Sequence, residues 1–339
     1  MTNFWEKLKK PIFCLAPMAD VTDCAFRQII AKYGKPDIFW TEFVSADGLA
    51  HPVAREKLLI DLRYSVDEHP IVAQIFGSKP ENIKNAAKLC KDLGFDGIDI
   101  NMGCPDKSIE KQCSGAAMIK NPKLAREIIR AARVGAAGLP ISVKTRIGYS
   151  KSEIETWIPE LLKEDLAALT VHLRTRKEMS DVEAHWDLMK RIVEIRNEMK
   201  VKTLILGNGD AVDLKDAEQK VKETGCDGVM LGRAIFGNPW LFANSLPINT
   251  DKTPMNSDKH ISVDQRVISV HQRLAVLVEH TKLFEKMLGE HKNFAIMKKH
   301  YKAYANGFEG AKELRVKLME TKTAGEVEKI VGEFIIVLK

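Results

Sequence analysis

A cysteine in a short polar loop is the residue of this sequence best suited to chemistry. Cys104 lies in the stretch from Gly97 to Met118, GIDINMGCPDKSIEKQCSGAAM, in which a short apolar run ends at Asn101. Gly103 gives the backbone freedom before the thiol, and Pro105 stiffens it afterwards. Reactive residues are common in loops of this kind, so we take Cys104 as the candidate reactive centre.

Free cysteines are more often buried and act as small hydrophobic side chains. Four polar neighbours favour a partly hydrated loop for Cys104: Asn101, Asp106, Lys107 and Ser108. We expect the remaining five cysteines to be buried hydrophobic residues: Cys14, Cys24, Cys90, Cys113 and Cys226. No C-x-x-C pair or H-E-x-x-H motif is present, so we expect no metal site and no disulfide.

Short apolar runs must position this loop, and eight of them recur through the first 233 residues. They begin at Ile12, Ile38, Ile71, Gly97, Ile141, Ala168, Thr203 and Gly228. Segments with helical spacing separate them, for example from Glu81, from Asn121 and from Asp213. Strands that alternate with helices predict parallel strands, and eight such units predict an α/β fold, a (β/α)₈ TIM barrel.

Each apolar run ends in a polar or special residue. These residues are Met18, Glu42, Gln74, Asn101, Lys144 with Arg146, His172 with Arg174, Asn208, and Gly232 with Arg233. The carboxyl ends of barrel strands meet on one face, which is where such barrels hold their active sites. We therefore expect these side chains to converge.

The pattern changes after the last run, which predicts three segments. Residues 1–243 form the barrel, residues 244–262 a linker, and residues 263–339 a small helical bundle. The predicted helices cover about Val263–Leu288, His291–Asn306, Ala311–Thr321 and Gly325–Leu338.

The charge distribution points to an anionic partner for the bundle. Of the net charge of +6, residues 245–339 carry +4, with 16 Lys and Arg against 12 Asp and Glu. Between His291 and Phe308 there is no acidic residue, and Lys298, Lys299 and Lys302 are the cations that would meet a polyanion. The aromatic residues of this segment we expect to be mainly structural: Phe294, Tyr301, Tyr304 and Phe308.

The amino-terminal segment MTNFWEKLKKPIF contains no apolar core of signal-peptide length. No apolar run in the sequence approaches the length of about 20 residues that a membrane-spanning helix needs. We therefore expect a cytoplasmic protein without membrane contact, and a monomer is plausible.

Glycine-containing loops after the seventh and eighth runs predict a phosphate site. The runs end LGNGD and LGRAIFGNPW, and we expect Gly209, Asp210, Gly232 and Arg233 to hold a phosphorylated cofactor. Gln74 and Lys144 suit the oxygen-rich edge of a flavin ring, with Pro17 and Met18 in contact with it. His172 either holds the ring edge or a substrate group, or only bonds to the backbone.

The chain resembles the tRNA-dihydrouridine synthases, flavin mononucleotide (FMN) enzymes that reduce uridine in transfer RNA. The motifs that carry the resemblance are APMADVTD from Ala16, TEFVSADGL from Thr41, NMGCP from Asn101 with SGAAM from Ser114, VKTRIG from Val143, VHLRTR from Val171, GNGD from Gly207, LGRAIFGNPWLF from Leu231 and MKKHYKAYANGFEGAKELR from Met297. Leu173 and the loop from Met179 to Trp186 depart from the family pattern.

The resemblance implies a set of site residues. The implied FMN contacts are Pro17, Met18, Ala19, Gln74, Lys144, His172, Asn208, Gly209, Asp210, Gly232 and Arg233. The implied substrate contacts are Asn101, Arg146, Arg174, Arg176, Lys298, Lys299 and Lys302. Hydride from reduced FMN would reach C6 of uracil, Cys104 would protonate C5, and NADPH would be the transient electron donor.

Three other functions are compatible with parts of the sequence. A flavin barrel acting on a free pyrimidine would not need the basic tail. A Schiff-base aldolase could use Lys144 as its nucleophile. An RNA-binding protein without redox activity could keep the barrel as a scaffold.

Overall fold

The computed structural model describes residues 3–243 and 269–337 of the chain. The chain divides into two compact units. The first contains Met1–Cys24 and Asp37–Ala234, and the second contains Ala25–Pro36 and Ile235–Lys339. The predicted linker, residues 244–262, and the first residues of the following predicted helix, 263–268, lie outside the described residues. The predicted domain boundary and the assignment of the bundle to RNA stay predictions.

The described residues of the first unit contain nine β-strands, all paired in parallel. They are β1 (Ile12–Leu15), β2 (Phe39–Trp40), β3 (Val44–Ser45), β4 (Ile71–Phe76), β5 (Gly97–Met102), β6 (Ile141–Arg146), β7 (Ala168–His172), β8 (Leu204–Asn208) and β9 (Gly228–Leu231). The sheet order is β1-β9-β8-β7-β6-β5-β4-β2, with β3 also paired to β4. A parallel bridge between Cys14 and Ile38 brings the two ends of the sheet together. The predicted barrel is confirmed.

The second predicted run forms two short strands rather than one. Trp40 of β2 pairs with Val72, and Val44 of β3 pairs with Ile75. The three residues between β2 and β3 in this register, 41–43, therefore lie opposite only two residues of β4, 73 and 74. This is the arrangement of a β-bulge, which bends the strand that carries the extra residue. The hydroxyl of Thr41 accepts a 3.0 Å hydrogen bond from the backbone N–H of Gln74 within the bulge.

Helices separate the strands. They are α1 (Cys24–Tyr33), α2 (Ala46–Ala50), α3 (Pro52–Leu58), α4 (Pro80–Asp92), α5 (Lys107–Glu110), α6 (Pro122–Ala136), α7 (Ile154–Leu162), α8 (Met189–Glu198) and α9 (Leu214–Thr224). The three helical segments singled out from the sequence form α4, α6 and α9. In α6 the side chains of Ala125, Ile128 and Ala132 are buried at helical spacing, and Asn121 caps the first turn.

The second unit is helical in its described part. Besides α1 from Ala25 onward, it contains α10 (Val270–Leu288), α11 (Met297–Tyr304), α12 (Ala311–Glu320) and α13 (Ala324–Val337). Ser269 and Gln272 form a reciprocal capping box at the start of α10. Of the four aromatic residues predicted to be mainly structural, Tyr301 and Tyr304 are fully buried, while Phe294 and Phe308 are half-buried. No helix within the described ranges is long and apolar enough to span a membrane.

Candidate active site

A cavity of about 520 Å³ opens at the carboxyl ends of the barrel strands, a volume that suits a small organic ligand. Nine of the predicted cofactor contacts line it: Pro17, Met18, Lys144, His172, Asn208, Gly209, Asp210, Gly232 and Arg233. Ala19 is exposed at the surface, and Gln74 is fully buried in the barrel. Neither of these two is among the residues that line the cavity.

One end of the cavity gathers two guanidinium groups around one carboxylate. Asp210 accepts hydrogen bonds from Nη2 of Arg174 and, at 2.5 Å, from Nη2 of Arg233. Partial burial alone would raise the pKa of Asp210, but these bonds and charges lower it overall. Two cations therefore meet one anion, and the net positive charge suits a phosphate group.

The two glycines at this end of the cavity differ in how much room they have. Gly209 has φ +132, and a Cβ atom there would lie 2.7 Å from Cβ of Ala184. A residue other than glycine would therefore clash with the loop after β7. At Gly232 the nearest atoms to an added Cβ, from Ala16 and Met18, lie 3.7 and 3.9 Å away.

His172 is neutral in this environment. Its Nε2 lies 3.1 Å from Nη1 of Arg174. Because a guanidinium only donates, Nε2 must accept and the proton must lie on Nδ1. Burial, reinforced by the positive charges of Lys144 and Arg146, keeps the pKa of His172 well below its usual value. The ring lines the cavity and its Nε2 contacts a side chain, and a role of His172 in holding the flavin or the substrate stays a prediction.

Lys144 extends from β6 towards β8. Its Nζ donates a 3.0 Å hydrogen bond to Oδ1 of Asn208, whose Nδ2 donates to the carbonyl of Met230 at 2.8 Å. Burial, followed by the charge of Arg146, lowers the pKa of Lys144 to about 8. The side chain therefore remains mostly a cation at neutral pH.

Cys104 lies half-buried in a loop held on both sides by β-strand residues. Oδ1 of Asn101 accepts the backbone N–H groups of Gly103 and Cys104 at 3.1 and 2.9 Å. Nε of Arg146 donates to the carbonyl of Gly103 at 2.8 Å. Burial raises the pKa of the Cys104 thiol, so the sulfur is protonated at neutral pH. The charges of Arg146 and Lys144 act on this thiol and stabilise its anion.

The expectation for the other cysteines is correct for four of five. Cys14, Cys24, Cys90 and Cys226 are buried. Cys113 is exposed, so the prediction that it is a buried hydrophobic residue is wrong. It follows α5 in a turn with φ +55, at the polar surface of the Cys104 loop, where no core is available to it.

Three arginines predicted to bind substrate have partners within the protein. Nη1 of Arg146 donates to the carbonyls of Thr175 and Met179 at 3.0 and 2.9 Å. Arg174 is 2% exposed and bonds Asp210, and Nε of Arg176 bonds Glu110 at 2.9 Å. These contacts tie residues 173–186 to the Cys104 loop. Binding of substrate by these arginines and by Asn101 stays a prediction.

Several residues of the site were not predicted from the sequence. Nε1 of Trp186 donates to the carbonyl of Gly209 at 2.8 Å, and a Cβ at Gly207 would lie 2.4 Å from the Trp186 ring. Ser180, from the same loop, lines the cavity. Asp99 lies fully buried beneath the site. Its position two residues before Asn101 on an apolar strand is the signal that could have revealed it, whereas Trp186 has no such signal.

The three predicted RNA-binding lysines lie on α11 in the second unit. Lys298 is half-buried, while Lys299 and Lys302 are exposed. In neither unit do the described residues contain a group of three or more His, Cys, Asp or Glu side chains that could hold a metal ion.

Comparison with known sequences gives matches over nearly the whole chain. A protein-family model described as dihydrouridine synthase (Dus) matches residues 14–336. The probable tRNA-dihydrouridine synthase of Staphylococcus aureus strain Mu50 is 40% identical over 334 residues, 98% of this chain and 95% of that protein. The probable tRNA-dihydrouridine synthase 2 of Bacillus subtilis strain 168 is 39% identical over 334 residues, 98% of this chain and 96% of that protein.

Solved structures of low sequence identity share the fold. A 2-naphthoyl-CoA reductase complex matches with a TM-score of 0.53 and 13% identity, covering 71% of this chain and 52% of that chain. The old yellow enzyme homologue from Zymomonas mobilis matches with a TM-score of 0.50 and 13% identity, covering 70% of this chain and 89% of that chain.

Proposed function

The chain belongs to the dihydrouridine synthase family, and from this we propose that it reduces the C5–C6 double bond of uridine in transfer RNA. As a member of this family it is an oxidoreductase. The observation that carries the proposed mechanism is geometric: Asn101, which holds the backbone of Cys104, is the register partner of Lys144 at the carboxyl ends of β5 and β6.

FMN is the cofactor that the cavity residues fit. Arg174, predicted from the sequence as a substrate contact, lines the cavity together with Arg233, and we assign both to the phosphate. Lys144 suits the electron-rich edge of the ring. When bound, the flavin supplies the hydride that C6 of the base receives. NADPH is the proposed source of electrons, and no fixed site for it is required because it would visit the flavin only briefly.

Cys104 serves as the general acid in this proposal. Hydride addition at C6 leaves negative charge on C5 and the C4 oxygen, so C5 must gain a proton. The Cys104 thiol is protonated at neutral pH because burial raises its pKa. The thiolate that remains after proton transfer is stabilised by the charges of Arg146 and Lys144.

We propose that the helical second unit binds the RNA. A uridine inside folded RNA must leave its stack to reach a barrel cavity, and this costs a few kcal/mol that contacts elsewhere must offset. Lys298, Lys299 and Lys302 supply positive charge for the phosphates. Transfer RNA as substrate also supports a cytoplasmic location.

The decisive experiment compares the wild type with Cys104→Ala and the matched control Cys113→Ala. We expect bound flavin absorbance in all three proteins and NADPH-dependent formation of dihydrouridine in unmodified transfer RNA by the wild type and the control. Cys104→Ala should keep flavin reduction by NADPH and lose uridine reduction by about 10²- to 10⁴-fold.

Two results would contradict these proposals separately. A wild-type protein that carries reduced FMN and leaves transfer RNA unchanged would overturn the activity. Cys104→Ala turning over at the wild-type rate would overturn only the role of the thiol.

A further inference from the structure

A buried carboxylate lies one layer beneath the Cys104 loop. Asp99 is 0% exposed and sits on β5, where its register partners are Gln74 on β4 and Ser142 on β6. Oδ1 of Asp99 accepts a 2.6 Å hydrogen bond from Oγ of Ser142. Oδ2 accepts a 2.7 Å hydrogen bond from Nε2 of Gln74. Both carboxylate oxygens are thus engaged by the neighbouring strands.

This carboxylate determines the direction of the hydrogen bonds above it. Burial raises the pKa of Asp99 to about 6, so this carboxylate is mainly ionised at neutral pH and only accepts hydrogen bonds. The Gln74 amide must therefore turn its NH₂ group towards Asp99. Oε1 of Gln74 is then left to accept Nδ2 of Asn101, at 3.0 Å. Oδ1 of Asn101 is left in turn for the backbone N–H groups of Gly103 and Cys104. The chain of bonds ends at the residue proposed to donate the proton.

We propose that Asp99 is a positioning residue that fixes the Cys104 loop through the oriented amides of Gln74 and Asn101. The inference rests on the proposed function only for the consequence in catalysis. The placement of the loop is a property of the protein alone. The effect on rate is expected because a general acid contributes fully only when its proton points at the reacting carbon.

With a neutral amide at position 99, the orientation of the Gln74 and Asn101 side-chain amides would no longer be fixed. Asn has both a donor and an acceptor, so Gln74 and Asn101 could each take either orientation. In one of them the NH₂ group of Asn101 faces the N–H groups of Gly103 and Cys104, and donor meets donor. The Cys104 loop would then lose its two bonds to Asn101 and be held only through the carbonyls of Gly103 and Cys104.

The test compares Asp99→Asn with Asp227→Asn, both in a Cys113→Ala background. Asp227 is also buried and hydrogen-bonded, by Arg196 and the N–H of Ile205, but it lies at the amino ends of the strands, away from Cys104. Removal of Cys113 leaves Cys104 as the one cysteine that is not buried. The first readout is the rate at which iodoacetamide alkylates Cys104 in the flavin-free protein. The second is the reaction of the flavin-loaded enzyme, separated into flavin reduction by NADPH and flavin oxidation by transfer RNA.

Asp99→Asn should speed alkylation of Cys104 by about threefold or more, because the loop opens more often. It should slow flavin oxidation by transfer RNA by about tenfold or more, with flavin reduction by NADPH unchanged. Asp227→Asn should change neither rate. Alkylation at the wild-type rate would overturn the proposal, and so would faster alkylation with unchanged flavin oxidation.

A second variant covers the case in which Asp99→Asn does not fold. Ser142→Ala removes one of the two bonds to Asp99 and should move both readouts in the same direction by a smaller factor. Ser142→Ala with wild-type values in both would overturn the proposal. If the wild type itself does not reduce transfer RNA, the proposed function fails, whereas the alkylation rates still decide whether Asp99 positions the loop.

Discussion

The ammonium group of Lys144 and the carboxamide of Asn208 are joined by a 3.0 Å hydrogen bond that crosses β7 from β6 to β8. This bond directs the lysine charge into the cavity, and the His172 ring lines the same cavity from the intervening strand. Because His172 is neutral, Lys144 supplies a positive charge on this wall of the cavity. The charge state of one lysine should therefore control how well an electron-rich ring binds.

FMN affinity should fall at alkaline pH for this reason. Burial first and the charge of Arg146 second lower the pKa of Lys144 to about 8, so its charge is lost as pH rises through that value. Between about pH 7 and about pH 9 we expect the Kd of FMN to rise about tenfold. Fluorescence titration measures it. Lys144→Met should bind more weakly at pH 7 and show no such rise, and an equal rise in the variant would contradict the assignment.

If the proposed FMN phosphate binds at Arg233, a variant of this residue should distinguish FMN from riboflavin. Arg233 bonds Asp210 at the rim of the cavity, and its side chain is 65% exposed. Arg233→Ala should lower the affinity for FMN about tenfold and leave the affinity for riboflavin unchanged, since only FMN carries the phosphate. Arg233→Lys should recover part of the lost FMN affinity, because lysine keeps the positive charge but lacks the paired N–H donors of the guanidinium group. Equal weakening of both ligands would place the phosphate elsewhere.

The Cys104 loop should depend on the absence of a side chain at position 115. Gly115 has φ +61, and a Cβ there would lie 2.6 Å from the carbonyl oxygen of Cys104. Gly115→Ala should lower the free energy of unfolding by more than about 2 kcal/mol, from backbone strain and the clash together. Gly225, with φ +71 and nothing within 4 Å, is the matched control. Gly225→Ala should cost only about 1 kcal/mol, and equal losses in denaturant titrations would exclude the clash.

The barrel could be predicted because its strands are buried on both faces and read as continuous apolar runs. The loop glycines after β8 and β9 were likewise predicted to lie in one site, and Gly209 and Gly232 do line one cavity. Side-chain partners could not be predicted in this way. Asp99 meets Gln74 and Ser142 only through the register of three strands, and no single segment encodes that register. Arg146 finds two of its acceptors, the carbonyls of Thr175 and Met179, in the irregular loop after β7, whose path follows no sequence period.

Transfer RNA binding should weaken when the lysines of α11 are replaced by uncharged residues. The triple variant of Lys298, Lys299 and Lys302 to Ala should raise the KM for transfer RNA about tenfold or more, with flavin reduction by NADPH unchanged. The slope of the logarithm of the binding constant against the logarithm of the salt concentration should also become less steep, by about one for each phosphate that is no longer neutralised. Lys329→Ala, at an exposed lysine of α13, is the control. An unchanged salt dependence in the triple variant would exclude α11 from the RNA interface.

The second unit should lose stability in mild acid because of two buried histidines. His280 and His300 are fully buried with ring centroids 4.5 Å apart. Their four ring nitrogens have no hydrogen-bond partner among the described residues. Burial keeps the pKa of His280 well below its usual value and lowers that of His300 to about 3. Both rings therefore stay neutral in the folded protein, while in the unfolded chain they bind protons below about pH 6.5.

The sign of the effect follows from this difference in pKa. The unfolded chain binds more protons as pH falls through about 6.5, so the stability is fully present above that pH and is lost below it. Between about pH 6.5 and about pH 5.5 each histidine should cost about 1 kcal/mol, or about 2 kcal/mol for the pair. His300→Phe places a ring that does not titrate beside Phe26, whose centroid lies 4.6 Å from that of His300. Denaturant unfolding at both pH values should show the loss reduced by about half in this variant. An identical pH dependence in wild type and variant would mean that His300 is already protonated in the folded state.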